Sequence, residues 1–217
     1  MRIYMKKVFL AAALWIMLCL ASAYALGEYS PRGVNEKERY NINLFLSNFS
    51  EQGMTFYSSS RYTDAQLVDF AIFHTWYNRQ DRIERGQWDV YNCRMSDEYV
   101  REIAKKYFGM IPEALTPSQI HYTDGYYYWQ TTGGYMGMGV VSMSHVENMG
   151  DGRFGVYFGC YGEGSAWSAE DCQLRPEQAA RKFAPSTVHA GYAVIDTNGG
   201  TLLDRSTWTL VQYDTLL

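Results

Sequence analysis

The sequence is short of the residues that most often carry chemistry. Its 217 residues include only four histidines, four cysteines and five prolines. With so little proline, and no stretch dense in glycine and serine, no flexible linker or low-complexity tract divides the chain. Positive charge is also scarce: 19 Lys and Arg face 23 Asp and Glu, a net charge of −4. That balance argues against nucleic acid, where affinity rests on cations against phosphate, and against anionic lipid surfaces. No Gly-x-Ser-x-Gly elbow is present. Gly133, Gly134, Gly137 and Gly139 do not fall in the order of a phosphate-binding fingerprint, and no Lys-Ser or Lys-Thr follows them. His121 with Asp124, and His145 with Glu147, are isolated pairs that lack the third ligand a zinc site needs. Strands and helices do not alternate, which excludes a parallel sheet.

The one long apolar run is at the front. Arg2, Lys6 and Lys7 precede Val8 to Leu20, and Ala21-Ser22-Ala23-Tyr24-Ala25 offers small residues for cleavage. This is the layout of a secretory signal peptide over residues 1–25, and the run is shorter than a span of about 20 residues. The expectation is a secreted single domain over 26–217, with no membrane attachment after cleavage. Loss of the three cations takes the net charge from −4 to −7. Cys93, Cys160 and Cys172 remain. An oxidising compartment permits one disulfide, for which Cys160 and Cys172 are nearest in sequence. The other reading makes Cys160 a small buried hydrophobe.

The front of the domain has helical periodicity. Asn35 with Glu38, and Thr63 with Gln66, are capping boxes ahead of apolar stripes, and Ser96-Asp97-Glu98 opens a third helix that Gly109 ends. After Pro117 the period becomes two. Residues 126–131, 140–147, 152–161, 187–196 and 202–213 read as strands, separated by Asn-, Asp- and Gly-rich turns. A short helix opened by Pro176 interrupts them. The expected fold is α+β: N-terminal helices, then an antiparallel sheet of about five strands. A helix packed on a curved sheet, as in cystatin-like or NTF2-like rolls, is one way to build it.

Strand alternation places Tyr126 and Tyr128 on one face, and Tyr127 and Trp129 on the other. Aromatics are common in half-buried strands. If Tyr127 and Trp129 face outward, they make a stacking platform with Tyr135 and Trp167 on adjoining loops. Both readings are open at this level.

One enzymatic arrangement can be drawn. Cys93 precedes the helix that Ser96 opens, and His189 begins the alternating run "HAGYAVIDTNGG", with Asn198 or Asp204 available to orient the imidazole. Papain-like hydrolases pair a cysteine at a helix start with a later strand histidine. Cys93, however, falls three residues ahead of the cap.

The stretches "NINLFLSNFSE" (Asn41–Glu51), "LVDFAIFHTWYN" (Leu67–Asn78) and "KKYFG" (Lys105–Gly109) resemble a group of secreted or lipid-anchored proteins of Gram-positive gut bacteria. The resemblance implies an extracytoplasmic setting but carries no activity and no catalytic residues. This chain departs from the lipid-anchored members by lacking a lipobox. The small polar residues of the first stretch suit packing and backbone capping. Taken together, these features predict a non-catalytic binding domain without metal or cofactor. Its partner would be an extracellular ligand: cell-envelope material, a glycan or a protein. A cysteine hydrolase using Cys93, His189 and Asn198, and a structural or inhibitory envelope protein, are the alternatives.

Overall fold

The computed structural model describes residues 30–31, 33–113, 120–131, 139–163, 165–185 and 188–216. The expected signal segment 1–25 and Tyr135 lie outside them. Three helices come first: α1 (Glu36–Ser50), α2 (Asp64–Asn78) and α3 (Asp97–Phe108). Their starts are the capping residues expected. Asn35 accepts from Glu38 N at 2.9 Å, Thr63 from Gln66 N at 3.3 Å and Ser96 from Tyr99 N at 3.4 Å. Gly109 ends α3 in the left-handed conformation that glycine adopts without strain. A short α4 (Pro176–Lys182) carries proline at its first position. No helix among the described residues is long and apolar enough to cross a membrane.

The antiparallel strands form two sheets, not the one that periodicity suggests. A six-stranded sheet runs in the order β1-β7-β8-β9-β10-β2, built from β1 (Ser30–Pro31), β2 (Phe56–Ser58), β7 (Val140–Gly150), β8 (Arg153–Tyr161), β9 (His189–Asp196) and β10 (Thr209–Leu216). A four-stranded sheet runs β3-β4-β6-β5, from β3 (Glu84–Trp88), β4 (Tyr91–Ser96), β5 (His121–Thr123) and β6 (Tyr126–Trp129). The last strand starts at Thr209, because residues 205–207 make a 3-10 turn capped by Asp204.

The inner face of the large sheet, with Phe154, Val156, Phe158, Ala193, Ile195 and Tyr213, packs against Phe45, Phe49, Phe70 and Phe108 of the helices. The aromatic rings interlock: Phe49 stacks on Phe70 at 4.9 Å and meets Phe45 edge-on at 5.3 Å. A smaller cluster of Val140, Tyr161, Cys172, Ala179 and Phe183 lies beside it.

The polar residues of α1 have a specific task. Strand β7 pairs with β8 on one side, but on the other β1 reaches only Glu147 and Asn148. Over residues 139–143 the open edge is met by one stripe of α1. Asn43 Oδ1 accepts from Met143 N (2.8 Å), Ser47 Oγ accepts from Val141 N (2.9 Å) and Ser50 Oγ donates to Gly139 O (2.7 Å). These three residues, at i, i+4 and i+7, lie on one helix face, and Asn43 and Ser47 take the place of a strand's acceptors. Gly139 itself has φ +95°, and a Cβ there would sit 2.0 Å from Tyr161 O. The end of the glycine-rich run is therefore a close backbone approach.

Two expectations are corrected here. Cys160 and Cys172 are free thiols, not a disulfide. Cys160 lies in the main core against Tyr213 Oη (3.9 Å), while Cys172 lies in the second cluster against Ser47 Oγ (3.8 Å). Tyr127 and Trp129 face inward. Tyr127 is fully buried beside Met95, its register partner, because that face of the small sheet joins the common core. The opposite face carries Tyr126 and Tyr128, of which Tyr128 is itself buried beneath Trp88, Tyr91 and His121, with Arg94 held between Tyr126 (4.2 Å) and Trp88 (4.6 Å) and paired with Glu84.

Candidate functional site

The residues that converge most closely are in a cleft where α1, α2, α3 and the 205–207 turn meet. Its volume is about 680 Å³, within the range of small-molecule sites. The floor is aromatic: Phe45, Tyr107 and Trp208 line it and are buried. The Trp208 indole N–H is already satisfied by Thr201 O at 2.9 Å, which fixes that ring.

At one wall stands a buried polar set. His74, in the last turn of α2, stacks parallel on Phe70 and meets Tyr107 edge-on at 4.6 Å. Its Nδ1 lies 3.8 Å from Glu51 Oε1. The Asn78 side-chain amide donates to Glu51 Oε1 (2.7 Å) and lies 3.2 Å from His74 Nδ1. His74 is thus a hydrogen-bonded core histidine at the cleft wall, the role its place on an apolar helix face predicts.

The rim is charged. Lys106, Arg205 and Arg79 line the cleft with Glu102 and Asp204. Arg79 is tied to Asp81 at 2.8 Å, and Asp204 is occupied as the cap of Ser206 N (3.0 Å). Lys106 and Arg205 make no ion-pair contact with a carboxylate among the described residues. Lys106 has its pKa lowered, first by the covering of its stem and then by the Arg205 charge, with Glu102 opposing. Burial pushes the Tyr107 hydroxyl far up, and Arg205 pulls it back. Arg205 therefore acts electrostatically on both neighbours.

The stretches 41–51, 67–78 and 105–109 meet at this cleft. The first supplies Phe45 and Asn48, with Glu51 held behind the wall by Asn78, the second His74 and Asn78, and the third Lys106 and Tyr107. Sequence reasoning took the stretches as packing elements and missed Glu51, Asn78, Lys106 and Arg205 as a group. The available signal was a cluster of polar residues at the ends of apolar helices.

The residues of the hydrolase reading are not brought together. Cys93 lies within β4 of the small sheet, not at a helix start. It is fully buried, its thiol pKa is raised by that burial, and its polar neighbour is Arg85 Nη1 at 4.0 Å. His189 opens β9 of the large sheet and pairs with Glu163 at 3.2 Å. Asn198 donates to Thr207 O (2.6 Å) and Thr209 Oγ1 (3.1 Å), holding a turn. Trp167 packs on the second cluster, beside Tyr161, instead of extending an aromatic platform. Among the described residues, no three His, Cys, Asp or Glu side chains gather in a metal-binding group.

Comparison of the chain with protein-family models, curated proteins and solved structures returned no match.

Proposed function

We propose that this chain is a non-catalytic binding domain acting outside the cytoplasm, and that the cleft between the three helices and the 205–207 turn seats its ligand. One observation carries the reading. Lys106 and Arg205 line the same cleft, and among the described residues neither has a carboxylate in ion-pair contact. Like charges in one cleft repel, and a ligand bearing negative charge relieves them. The protein as a whole is acidic, so this local excess of cation is not a consequence of composition. Arg205 supplies a planar fork suited to carboxylate or phosphate, and Lys106 a point charge. The aromatic floor would take an apolar part of the ligand. Cys93 and His189 stand on different sheets with other partners, which favours a reading that does not use them as a pair.

The test is a thermal-shift screen of the mature protein with dicarboxylates, nucleoside phosphates and acidic oligosaccharides, followed by titration of any hit. The Lys106→Gln/Arg205→Gln double variant should lose at least about tenfold in affinity, the equivalent of one charge-assisted contact. A double variant that binds the hit as tightly as the wild type overturns the assignment.

A further inference from the structure

Three buried polar side chains of the cleft each keep one atom that the protein does not use. Asn48, His74 and Tyr107 line the cleft and are 9%, 5% and 7% exposed. The Asn48 amide nitrogen donates to Leu44 O (2.7 Å) and Phe45 O (3.3 Å), which fixes the amide and leaves Oδ1 as its free end. The Asn78 amide nitrogen is oriented by Glu51 Oε1 (2.7 Å) and His74 O (3.1 Å), and it faces His74 Nδ1 at 3.2 Å. A ring nitrogen that faces a donor accepts, so the imidazole proton sits on Nε2. Among the described residues, nothing bonds to Asn48 Oδ1, His74 Nε2 or the Tyr107 hydroxyl. Nor are these atoms sealed in the core. The enclosed side-chain polar atoms without a partner are Gln52 Oε1, Asp97 Oδ1 and Tyr127 Oη, among the described residues. A polar atom that is held in place, open and unbonded within the protein is available to a ligand.

The Tyr107 ring draws the group together. His74 meets its edge at 4.6 Å, Phe45 stacks on it at 5.9 Å, and Lys106 Nζ lies 5.2 Å from its centre. Arg205 acts on its hydroxyl. Asn48 stands between Phe45 and Glu51 on one face of α1, and Glu51 is 3.8 Å from His74. The cations Lys106 and Arg205, the donors His74 and Tyr107 and the acceptor Asn48 thus border one cleft. An acceptor in a cationic cleft selects a ligand that carries charge and hydroxyl together. A simple carboxylate or a dianionic phosphate has nothing to donate to Asn48 Oδ1. A neutral sugar has hydroxyls but no charge for Lys106 and Arg205.

We propose that the cleft binds a hydroxylated carboxylate of the sugar-acid type. Its carboxylate meets Lys106 and Arg205, its hydroxyls bond to Asn48 Oδ1, His74 Nε2 and Tyr107 Oη, and its C–H face lies against the aromatic floor. The group can be a free acid or the terminal residue of an acidic glycan; the chemistry is shared. The inference rests on the cleft being the ligand site.

The experiment is two-dimensional NMR titration of the mature protein with glucuronate, methyl glucuronide, cyclohexanecarboxylate and glucose. Glucuronate should shift the Asn48 side-chain amide and the His74 ring signals. It should bind at least about tenfold more tightly than cyclohexanecarboxylate, which lacks the hydroxyls, and than glucose, which lacks the charge. Tighter binding of methyl glucuronide than of glucuronate identifies a glycan end, and the reverse a free acid. Tyr107→Phe removes a hydroxyl that bonds to no described residue. It should weaken glucuronate several-fold, leave cyclohexanecarboxylate unchanged and not lower Tm. If cyclohexanecarboxylate binds in the cleft as tightly as glucuronate, or Tyr107→Phe binds glucuronate normally, the hydroxy-acid assignment fails and the cleft remains an anion site. If glucose matches glucuronate, or no probe shifts these signals, the anion site fails with it.

Discussion

Asn78 donates to Glu51 Oε1 at 2.7 Å and in doing so ties the end of α2 to the end of α1, beside His74. Glu51 is the residue that closes α1, and its own N–H caps Ser47 O at 2.9 Å. The cleft wall is therefore set by one amide that bridges two helix ends. Asn78→Leu should leave the buried Glu51 carboxylate without that donor, at a cost of about 1–3 kcal/mol. Urea denaturation should show a lower midpoint with an unchanged slope. An unchanged midpoint would mean that water replaces the amide.

Lys106 is exposed along α3 and sits in the field of Arg205. Lys106→Gln should leave stability within about 0.5 kcal/mol of wild type, as for most surface substitutions, with the sign toward stabilisation. A loss of anion affinity with preserved or raised Tm is the signature of a charge kept for binding. A clear fall in Tm would mean that the side chain mainly packs.

The three thiols should be unreactive in the folded state. Burial pushes the Cys172 pKa up to about 12, and Cys160 and Cys93 also shift upward. Iodoacetamide at pH 8.5 should therefore label none of the three until the protein unfolds. Linkage gives a second readout. Unfolded Cys172 ionises near pH 9 while the folded thiol stays protonated, so its contribution is complete below pH 9 and is lost as pH rises toward about 12. Within that window it costs about 1.4 kcal/mol per pH unit. Cys172→Ala should flatten the fall of stability between pH 9 and 11 by about that slope. An unaltered slope would place the alkaline sensitivity in the other two buried thiols and the buried tyrosines.

Tyr127→Ala should cost about 3–5 kcal/mol, the range for emptying a large aromatic site in a core. The ring is fully buried against Met95 and Tyr122. Trimming an outward platform would have left the fold untouched. Circular dichroism melting distinguishes the two.

Local signals in the sequence were strong wherever the chain decides for itself. The capping boxes at Asn35 and Thr63, the stop at Gly109 and the turn at 197–200 all stand where residue chemistry put them. The hairpin of β3 and β4 was not legible, because Glu84 to Trp88 is mostly exposed and shows no apolar alternation. Cys93 does precede the helix that Ser96 caps, but the strand it belongs to, which runs directly into α3, carries no signal of its own. The facing of Tyr127 could not be read either: alternation divides a strand into two faces but does not say which meets the core. The cleft was hidden for another reason. Glu51, Asn78, Lys106 and Arg205 are distant in sequence, and only helix packing unites them.

The stripe of Asn43, Ser47 and Ser50 makes α1 a stand-in for a missing neighbour strand. An uncovered strand margin is an invitation to any other extended chain. The helix therefore guards the fold against self-polymerisation as well as stabilising it. The same helix carries Ile42, Phe45, Leu46 and Phe49 into the core, so the cover of the strand margin and the packing of the core are held by one element and stand or fall together.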